Sequence, residues 1–134
     1  PFPRGLAGHS DADALCHAVA DALLGAAALG DIGEHFPDTD PRWKDADSLA
    51  LLAAVREKVR DAGYRVVNVD ATVVAEAPKL SPFKARMAAA LAAALDAPAG
   101  AVSVKAKTNE GFDATGRGEA VAVWAVALIE EAGT

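Results

Sequence analysis

The segment EAVAVWAVALIE (residues 119–130) constrains the fold most strongly, because its apolar side chains occur at consecutive positions. A β-strand with two apolar faces is stable only when both faces are covered. Helices packed on one face and a neighbouring subunit on the other meet that requirement. The segment therefore predicts a sheet with helices on one side and self-association on the other.

The remaining elements follow from hydrophobic periodicity and from helix and turn signals. Ser10 and Asp13 resemble a capping box that opens a helix running to Leu29. The alternating segment YRVVNVDATVVAEA (64–77) predicts a half-buried strand. Its apolar face consists of Val67, Val69, Ala71, Val73 and Ala75. Further helices are predicted at 47–63 and 81–95, a strand at 101–108, and loops at 31–44 and 109–118.

The order helix, helix, strand, helix, strand, strand predicts an α+β sandwich with helices on one face of a sheet. One more strand before the first helix would complete a repeated pattern. The chain opens with PFPR, an unusual start for a natural protein. We therefore expect a further strand upstream of Pro1.

Composition and charge exclude several classes of protein. The net charge of −6, without a basic run, disfavours a nucleic-acid surface. The single cysteine, Cys16, excludes an internal disulfide, is typical of a reducing compartment, and is predicted to lie in the core. No apolar run approaches the roughly 20 residues of a membrane span, and no signal-peptide pattern is present. A cytoplasmic protein of 134 residues with a single domain is predicted.

The segment GHSDADALCH (8–17) contains the first group of candidate site residues. On a helix, Asp13 and Asp21 lie about 40° on either side of His17, and Ser10 lies about 20° away. This face is either a solvated helix surface or part of a site in which His17 ligates a metal. In the second case Asp21 orients His17 and His9 meets an anion at the helix N-terminus. Both interpretations remain open, because zinc requires three or four ligands.

Three other segments have both a structural and a functional interpretation. In DIGEHFPDTD, Asp31 suits the hydroxyl groups of a sugar, although Asp and Pro also form ordinary turns. In APKLSP, Lys79 suits a phosphate or faces solvent. In KTNEG, Glu110 suits Mg²⁺ held against a diphosphate, or it too faces solvent.

Taken together, three segments closely resemble the 2-C-methyl-D-erythritol 2,4-cyclodiphosphate synthase family. They are GHSDADALCHAVADALLGAAALGDIGEHFPDTDPRWK, NVDATVVAEAPKL and VKAKTNEGFDATGRGEAVAVWAVALI, in this order. The resemblance covers essentially the whole chain. It implies a ferredoxin-like sandwich with a four-stranded-type sheet. It also implies a homotrimer with strands facing the trimer axis and active sites between subunits.

The resemblance also implies a reaction, its cofactors and a location. The family converts 4-diphosphocytidyl-2-C-methyl-D-erythritol 2-phosphate to the cyclic diphosphate and CMP, in non-mevalonate isoprenoid biosynthesis. Zn²⁺, or a similar divalent cation, and Mg²⁺ or Mn²⁺ position the diphosphate. The location is cytoplasmic, or the plastid stroma in a plant-type source. Two alternatives are a trimeric binder of CDP-type or isoprenoid diphosphate ligands without turnover, and a metal-dependent phosphoanhydride hydrolase.

Residue roles implied by the resemblance fall on matching positions of this chain. His17 corresponds to a zinc ligand and Glu110 to the Mg²⁺ ligand. His9 and Thr108 correspond to groups that stabilise the transition state, and His9 and Ser10 to contacts with the erythritol phosphate. Further implied substrate contacts are Asp31, Ile32 and Gly33 at the ribose, and Phe36, Pro37, Asp38, Thr39 and Asp40 in a closing loop. The contacts implied around the cytosine are Ala75, Glu76, Ala77, Pro78, Lys79, Leu80 and Ser81, and those at the diphosphate are Lys107, Thr108, Asn109 and Glu110. Arg117, accompanied by Glu119, corresponds to a residue near the trimer axis, where some members hold an isoprenoid diphosphate.

The chain departs from the family pattern at three places. Lys107 stands where the family has threonine. Asp113 and Ala114 stand in a turn that usually reads LGFTGRGEG. The family's first strand, whose Asp-x-His motif supplies two zinc ligands, has no counterpart in residues 1–134. We expect it to be omitted or disordered upstream of Pro1 rather than deleted.

Overall fold

The structure is a computed structural model that describes residues 9–37, 39–41, 47–76 and 81–133, without the side chains of residues 9–11 and 81. Its helices are α1 (His9–Ala26), α2 (Ile32–His35), α3 (Ser48–Asp61), α4 (Lys84–Ala94) and α5 (Asp113–Gly116). Its strands are β1 (Tyr64–Val74), β2 (Val102–Lys107) and β3 (Ala122–Glu131). Short 3₁₀ turns at Ser81–Phe83 and Ala99–Ala101 precede α4 and β2.

The described residues form one mixed sheet with the strand order β2-β1-β3. β1 runs parallel to β2 and antiparallel to β3. α1 packs on β1 and β3, α4 packs on β2, and α3 packs on α1 and β1. The predicted α+β architecture is therefore confirmed, with three strands in the described part of the chain.

The core lies between the helices and one face of this sheet. α1 contributes Leu15, Val19 and Leu23, which are fully buried, and β1 contributes Val69 and Val73, which are 1% exposed. Burial of this apolar surface stabilises the fold by roughly 1.5–3 kcal/mol for each large side chain. Among the described residues, no helix is long and apolar enough to cross a membrane.

Cys16 is buried within this core, as predicted. Burial and, secondarily, the Asp13 and Asp47 carboxylates raise the pKa of its thiol to about 12. The thiol is therefore neutral at physiological pH and packs as a small apolar residue.

Two details of the regular elements differ from the prediction. β1 contains a bulge between Val66 and Asn68, so Val66 rather than Val67 packs against the core. A bulge adds one residue to a strand and exchanges its faces locally. α1 ends at Ala26 rather than Leu29, because Ala28 adopts a left-handed φ of 57°. The Leu29 amide then bonds the Leu24 carbonyl and closes the helix.

The ends of helices and the loops also differ from the prediction. α1 already includes His9, so Ser10 lies inside the helix and not at its cap. The predicted loop 31–44 contains α2, and the predicted turn 109–118 contains α5. Both short helices are held by a side chain close in sequence: Asp31 accepts from the Glu34 amide and Asp113 from the Thr115 amide.

Candidate active site

The carboxyl ends of β1 and β2 lie side by side, because the two strands are parallel and in register. The Ala75 amide donates to the Lys107 carbonyl at 3.1 Å, and the Asn109 amide donates to the Glu76 carboxylate at 3.3 Å. These bonds join the end of β1 to residues 107–110, which we call the strand-end turn. The structure therefore brings Ala75 and Glu76, the described start of the segment that the resemblance assigns to the cytosine, beside the segment that it assigns to the diphosphate.

The strand-end turn presents polar side chains to solvent. Lys107, Thr108 and Glu110 are exposed, whereas Asn109 is half-buried. Glu110 has a left-handed φ of 53°, and Gly111 follows at 81°. A non-glycine residue in this conformation costs about 1–3 kcal/mol and persists only where surrounding contacts hold it. The turn is therefore a constrained platform for an exposed carboxylate and an exposed hydroxyl.

Asp113 provides much of that constraint. Its carboxylate accepts from the Thr115 hydroxyl at 2.5 Å and from the Asn109 side-chain amide at 2.7 Å. These bonds, with the Thr115 bond as the larger cause, lower the pKa of Asp113 to about 2. Sequence reasoning noted Asp113 only as a departure and missed Thr115, although Asp-x-Thr is a pattern that forms local side-chain to backbone bonds.

Gly116 packs against the backbone of Gly111, the residue that follows the strand-end turn. A Cβ at Gly116 would lie 2.3 Å from the Gly111 carbonyl carbon and 2.8 Å from its Cα. Both are backbone atoms, so the turn itself must move to admit a side chain.

Gly116→Ala is therefore expected to lower the free energy of unfolding by about 1–3 kcal/mol, which is typical of overpacking. Gly100→Ala is the matched control, because a Cβ at Gly100 meets nothing within 4 Å. Urea unfolding of both variants measures the difference. Equal unfolding free energies for the two variants would contradict the close approach of Gly116 to Gly111.

The polar face of α1 divides into two parts. His17 and Asp21 are exposed, and Asp21 accepts from the Ile32 amide at 2.9 Å, which ties α2 to α1. Asp13 is half-buried and accepts from the Ser48 hydroxyl at 2.5 Å. Asp13 therefore joins α1 to α3, and His17 with Asp21 forms the solvent-facing part.

The segment after α2 starts from a buried anchor. The Phe36 side chain is 6% exposed, and the Lys58 ammonium lies 5.5 Å from the centre of its ring. His35 Nε2 lies 2.7 Å from the Leu29 carbonyl, so this nitrogen carries the proton and donates it. Pro37 and Thr39 are exposed, and Asp40 donates its amide to the Pro37 carbonyl.

The other predicted site residues are Arg117, Ile32 and Gly33, and several that lie outside the described residues. Arg117 is exposed and pairs with Glu119 through Nε and Nη2, at 3.1 and 3.2 Å. Ile32 and Gly33 lie in α2. Asp38, Ala77, Pro78, Lys79 and Leu80 lie outside the described residues, as do the side chains of His9, Ser10 and Ser81.

Metal-binding capacity is partial in the part of the chain that the structure describes. No group of three or more His, Cys, Asp or Glu side chains converges there. The exposed imidazole of His17 fits one position of a zinc site, which needs three or four ligands. The exposed carboxylate of Glu110 fits Mg²⁺, which is commonly held by one or two carboxylates together with phosphate oxygens.

Known proteins resemble this chain in both sequence and fold. The sequence profile of the YgbB family matches residues 1–130. The 2-C-methyl-D-erythritol 2,4-cyclodiphosphate synthase of Desulfosudis oleivorans is 61% identical over 131 residues, which are 98% of this chain and 78% of that protein. The protein of the same name from Salinibacter ruber is 62% identical over 132 residues, covering 98% of this chain and 84% of that one.

Solved structures agree with these relatives. The bifunctional IspDF from Campylobacter jejuni superposes with a TM-score of 0.84 at 42% identity, over 88% of this chain and 32% of that one. A CDP-bound 2C-methyl-D-erythritol-2,4-cyclodiphosphate synthase superposes with a TM-score of 0.78 at 34% identity, over 86% of this chain and 74% of that one. With a family profile matched over residues 1–130, relatives about 60% identical over nearly the whole chain, and a shared fold, the chain belongs to the YgbB family of 2-C-methyl-D-erythritol 2,4-cyclodiphosphate synthases.

Proposed function

We propose that this chain converts 4-diphosphocytidyl-2-C-methyl-D-erythritol 2-phosphate to 2-C-methyl-D-erythritol 2,4-cyclodiphosphate and CMP. The observation that carries the proposal is the junction of the β1 end with the strand-end turn, where the Asn109 amide bonds Glu76 at 3.3 Å. The junction supports the proposal, because Ala75 and Glu76, the described start of the segment proposed for the cytosine, bond to a turn whose exposed groups suit a diphosphate. Family membership supports the same reaction.

The reaction needs no protein nucleophile, because the substrate carries its own. An oxygen of the 2-phosphate attacks the β-phosphorus and forms the new P–O bond. The bond between that phosphorus and the bridging oxygen breaks, and the electron pair leaves with CMP. Phosphoryl transfer of this kind depends mainly on positioning and on charge stabilisation.

Each group of residues has a proposed part in that positioning. Residues 31–33 hold the ribose, residues 75–81 hold the cytosine, and residues 36–40 close over the methylerythritol. Thr108 and His9 donate hydrogen bonds to the charge that develops on the transferred phosphoryl group. Ser10 contacts the 2-phosphate. Lys107 and Asn109 border the diphosphate, and Arg117 lies near the trimer axis, where an isoprenoid diphosphate can bind.

Divalent cations complete the charge balance. His17 would hold Zn²⁺ or a similar ion, with its other ligands coming from outside the described residues, and Glu110 would hold Mg²⁺ or Mn²⁺. Such ions, when bound, polarise phosphoryl oxygens and neutralise their charge. The exposure of both side chains supports these assignments.

The assembly proposed for this function is a homotrimer of ferredoxin-like units, each a single domain that includes residues 1–134. A fourth strand would extend the sheet, and the strands would face the trimer axis. Active sites would lie between subunits. Trp124, Val126 and Leu128 support this arrangement, because they are exposed on the sheet face opposite the helices. We propose a cytoplasmic location, or the plastid stroma in a plant-type source.

Phosphorus NMR tests the function directly. The full chain is incubated with the cytidylyl substrate, Zn²⁺ and Mg²⁺, and a parallel sample contains a chelator. Cyclic diphosphate and CMP are expected only in the first sample. Linear products would indicate a hydrolase instead, and CDP binding without any turnover would indicate a binding protein; either result would contradict the proposal.

A further inference from the structure

We infer that Asp113 is a positioning residue that holds the strand-end turn in its ligand-binding conformation, an inference that rests on the proposed function. Asp113 follows Glu110 by three positions, and its carboxylate contacts Asn109, the residue immediately before Glu110. Glu110 therefore lies, along the chain, between two residues whose side chains are hydrogen-bonded to each other. We call the set Asn109, Asp113 and Thr115 the turn clamp.

The turn clamp is a closed ring of hydrogen bonds. The Asn109 side-chain amide donates to Asp113 Oδ2 and to Thr115 Oγ1, each at 2.7 Å. The Thr115 hydroxyl in turn donates to Asp113 Oδ1 at 2.5 Å. Because the hydroxyl accepts one bond and donates another, each member of the ring orients the next.

The backbone inside the ring needs such support. Glu110, Gly111 and Asp113 all have left-handed φ values, of 53°, 81° and 58°. Two of these residues are not glycine, so the conformation is held by contacts rather than by local preference. Asp113 Oδ1 also accepts from the Thr115 and Gly116 amides, at 2.9 and 3.3 Å. One carboxylate therefore anchors the start of α5 and the side chain of Asn109.

Asp113 acts through Asn109 rather than by touching the ligand. Three donors, two from Thr115 and one from Gly116, converge on its Oδ1, while its Oδ2 accepts from Asn109. The exposed groups nearby include Thr108 and Glu110, whose directions depend on the backbone that the turn clamp fixes. Loss of the Asp113 carboxylate should therefore weaken binding of a Mg²⁺-diphosphate more than it slows the saturated enzyme.

Asp113→Gly tests this inference without adding backbone strain, because glycine adopts left-handed φ freely. The matched control is Asp96→Gly, since Asp96 also has a left-handed φ, of 52°, and lies just after α4. The probe is CDP with Mg²⁺, and its affinity for the full chain is measured by calorimetry. We expect Asp113→Gly to weaken CDP binding by about 10–100-fold, as loss of an outer-shell partner does. Asp96→Gly should bind CDP like the unmodified chain.

Steady-state kinetics give a second readout. For Asp113→Gly, the Mg²⁺ concentration needed for half-maximal cyclisation should rise by about tenfold, while kcat at saturating Mg²⁺ and substrate falls much less. Unchanged CDP affinity and Mg²⁺ dependence in an active protein would overturn the inference and leave the proposed function intact. If the unmodified chain formed no cyclic diphosphate, the proposed function would fail, and CDP binding would still decide the role of Asp113.

Asn109→Ala keeps the test decisive if Asp113→Gly does not fold. The inference expects Asn109→Ala to weaken CDP binding by a similar factor, because it breaks the same ring. Where both single variants fold, the double variant Asn109→Ala/Asp113→Gly should bind CDP at most about threefold more weakly than either single variant. If the two losses of CDP affinity instead multiplied in the double variant, Asn109 and Asp113 would have independent roles, and the inference would be overturned.

Discussion

Glu110→Gln is expected to lower kcat for cyclisation by about 10²–10³-fold, the usual effect of removing one electrostatic group from such a site. Glutamine keeps the size of the side chain and meets the same left-handed backbone, at φ 53°, so the substitution isolates the charge. Magnesium prefers carboxylate and phosphate oxygens and is held poorly by a neutral amide. CMP release followed against Mg²⁺ concentration measures the effect.

Glu131→Gln is the matched control for that experiment. Glu131 is also an exposed glutamate, but it pairs with Tyr64 at the opposite end of β1 from the strand-end turn. Its substitution should leave kcat and Mg²⁺ dependence unchanged. If Glu110→Gln behaved like Glu131→Gln, Glu110 would have no part in binding the metal.

The regular elements were predictable from sequence to the extent that their pattern is local. β2 lies within one residue of its prediction at each end, since alternation and flanking glycine mark it clearly. The bulge at Val67 could not be predicted, because it depends on how β1 pairs with β3. α2 and α5 were also missed, because four-residue helices have little periodicity. The side chain of Asp31 caps α2, and α5 is held by amides bonded to the side chain of Asp113, its own first residue.

The position of the candidate site could be predicted from the sequence, but the contacts that form it could not. Placing Lys107–Glu110 at the end of a strand follows from alternation in 101–108 and is confirmed by the end of β2 at Lys107. The Glu76–Asn109 bond depends on parallel pairing of distant segments, which one sequence does not specify. The turn clamp depends on left-handed residues that are not glycine. The roles of single residues in catalysis stay predictions.

On the sheet face opposite the helices, β1 carries polar side chains and β3 carries apolar ones. On β3, Trp124, Val126 and Leu128 are 62%, 72% and 56% exposed. Their partners on β1 are the polar residues Thr72, Asp70 and Asn68. Contiguous exposed apolar residues of this kind mark interaction surfaces. The surface formed by these three β3 residues therefore supports the proposed contact between subunits.

Val126→Asp is expected to dissociate the proposed trimer and, with it, to abolish activity. In an isolated chain the new carboxylate would face water at a position that is 72% exposed, so folding should be nearly unaffected. In a trimer each carboxylate would be buried without a partner, which costs about 3 kcal/mol or more per subunit. Sedimentation velocity and urea unfolding separate these effects, and Ala89→Asp on the exposed side of α4 is the control. The subunit contact would be excluded from this face if Val126→Asp remained trimeric and active, because a buried, unpaired charge and an intact interface are incompatible.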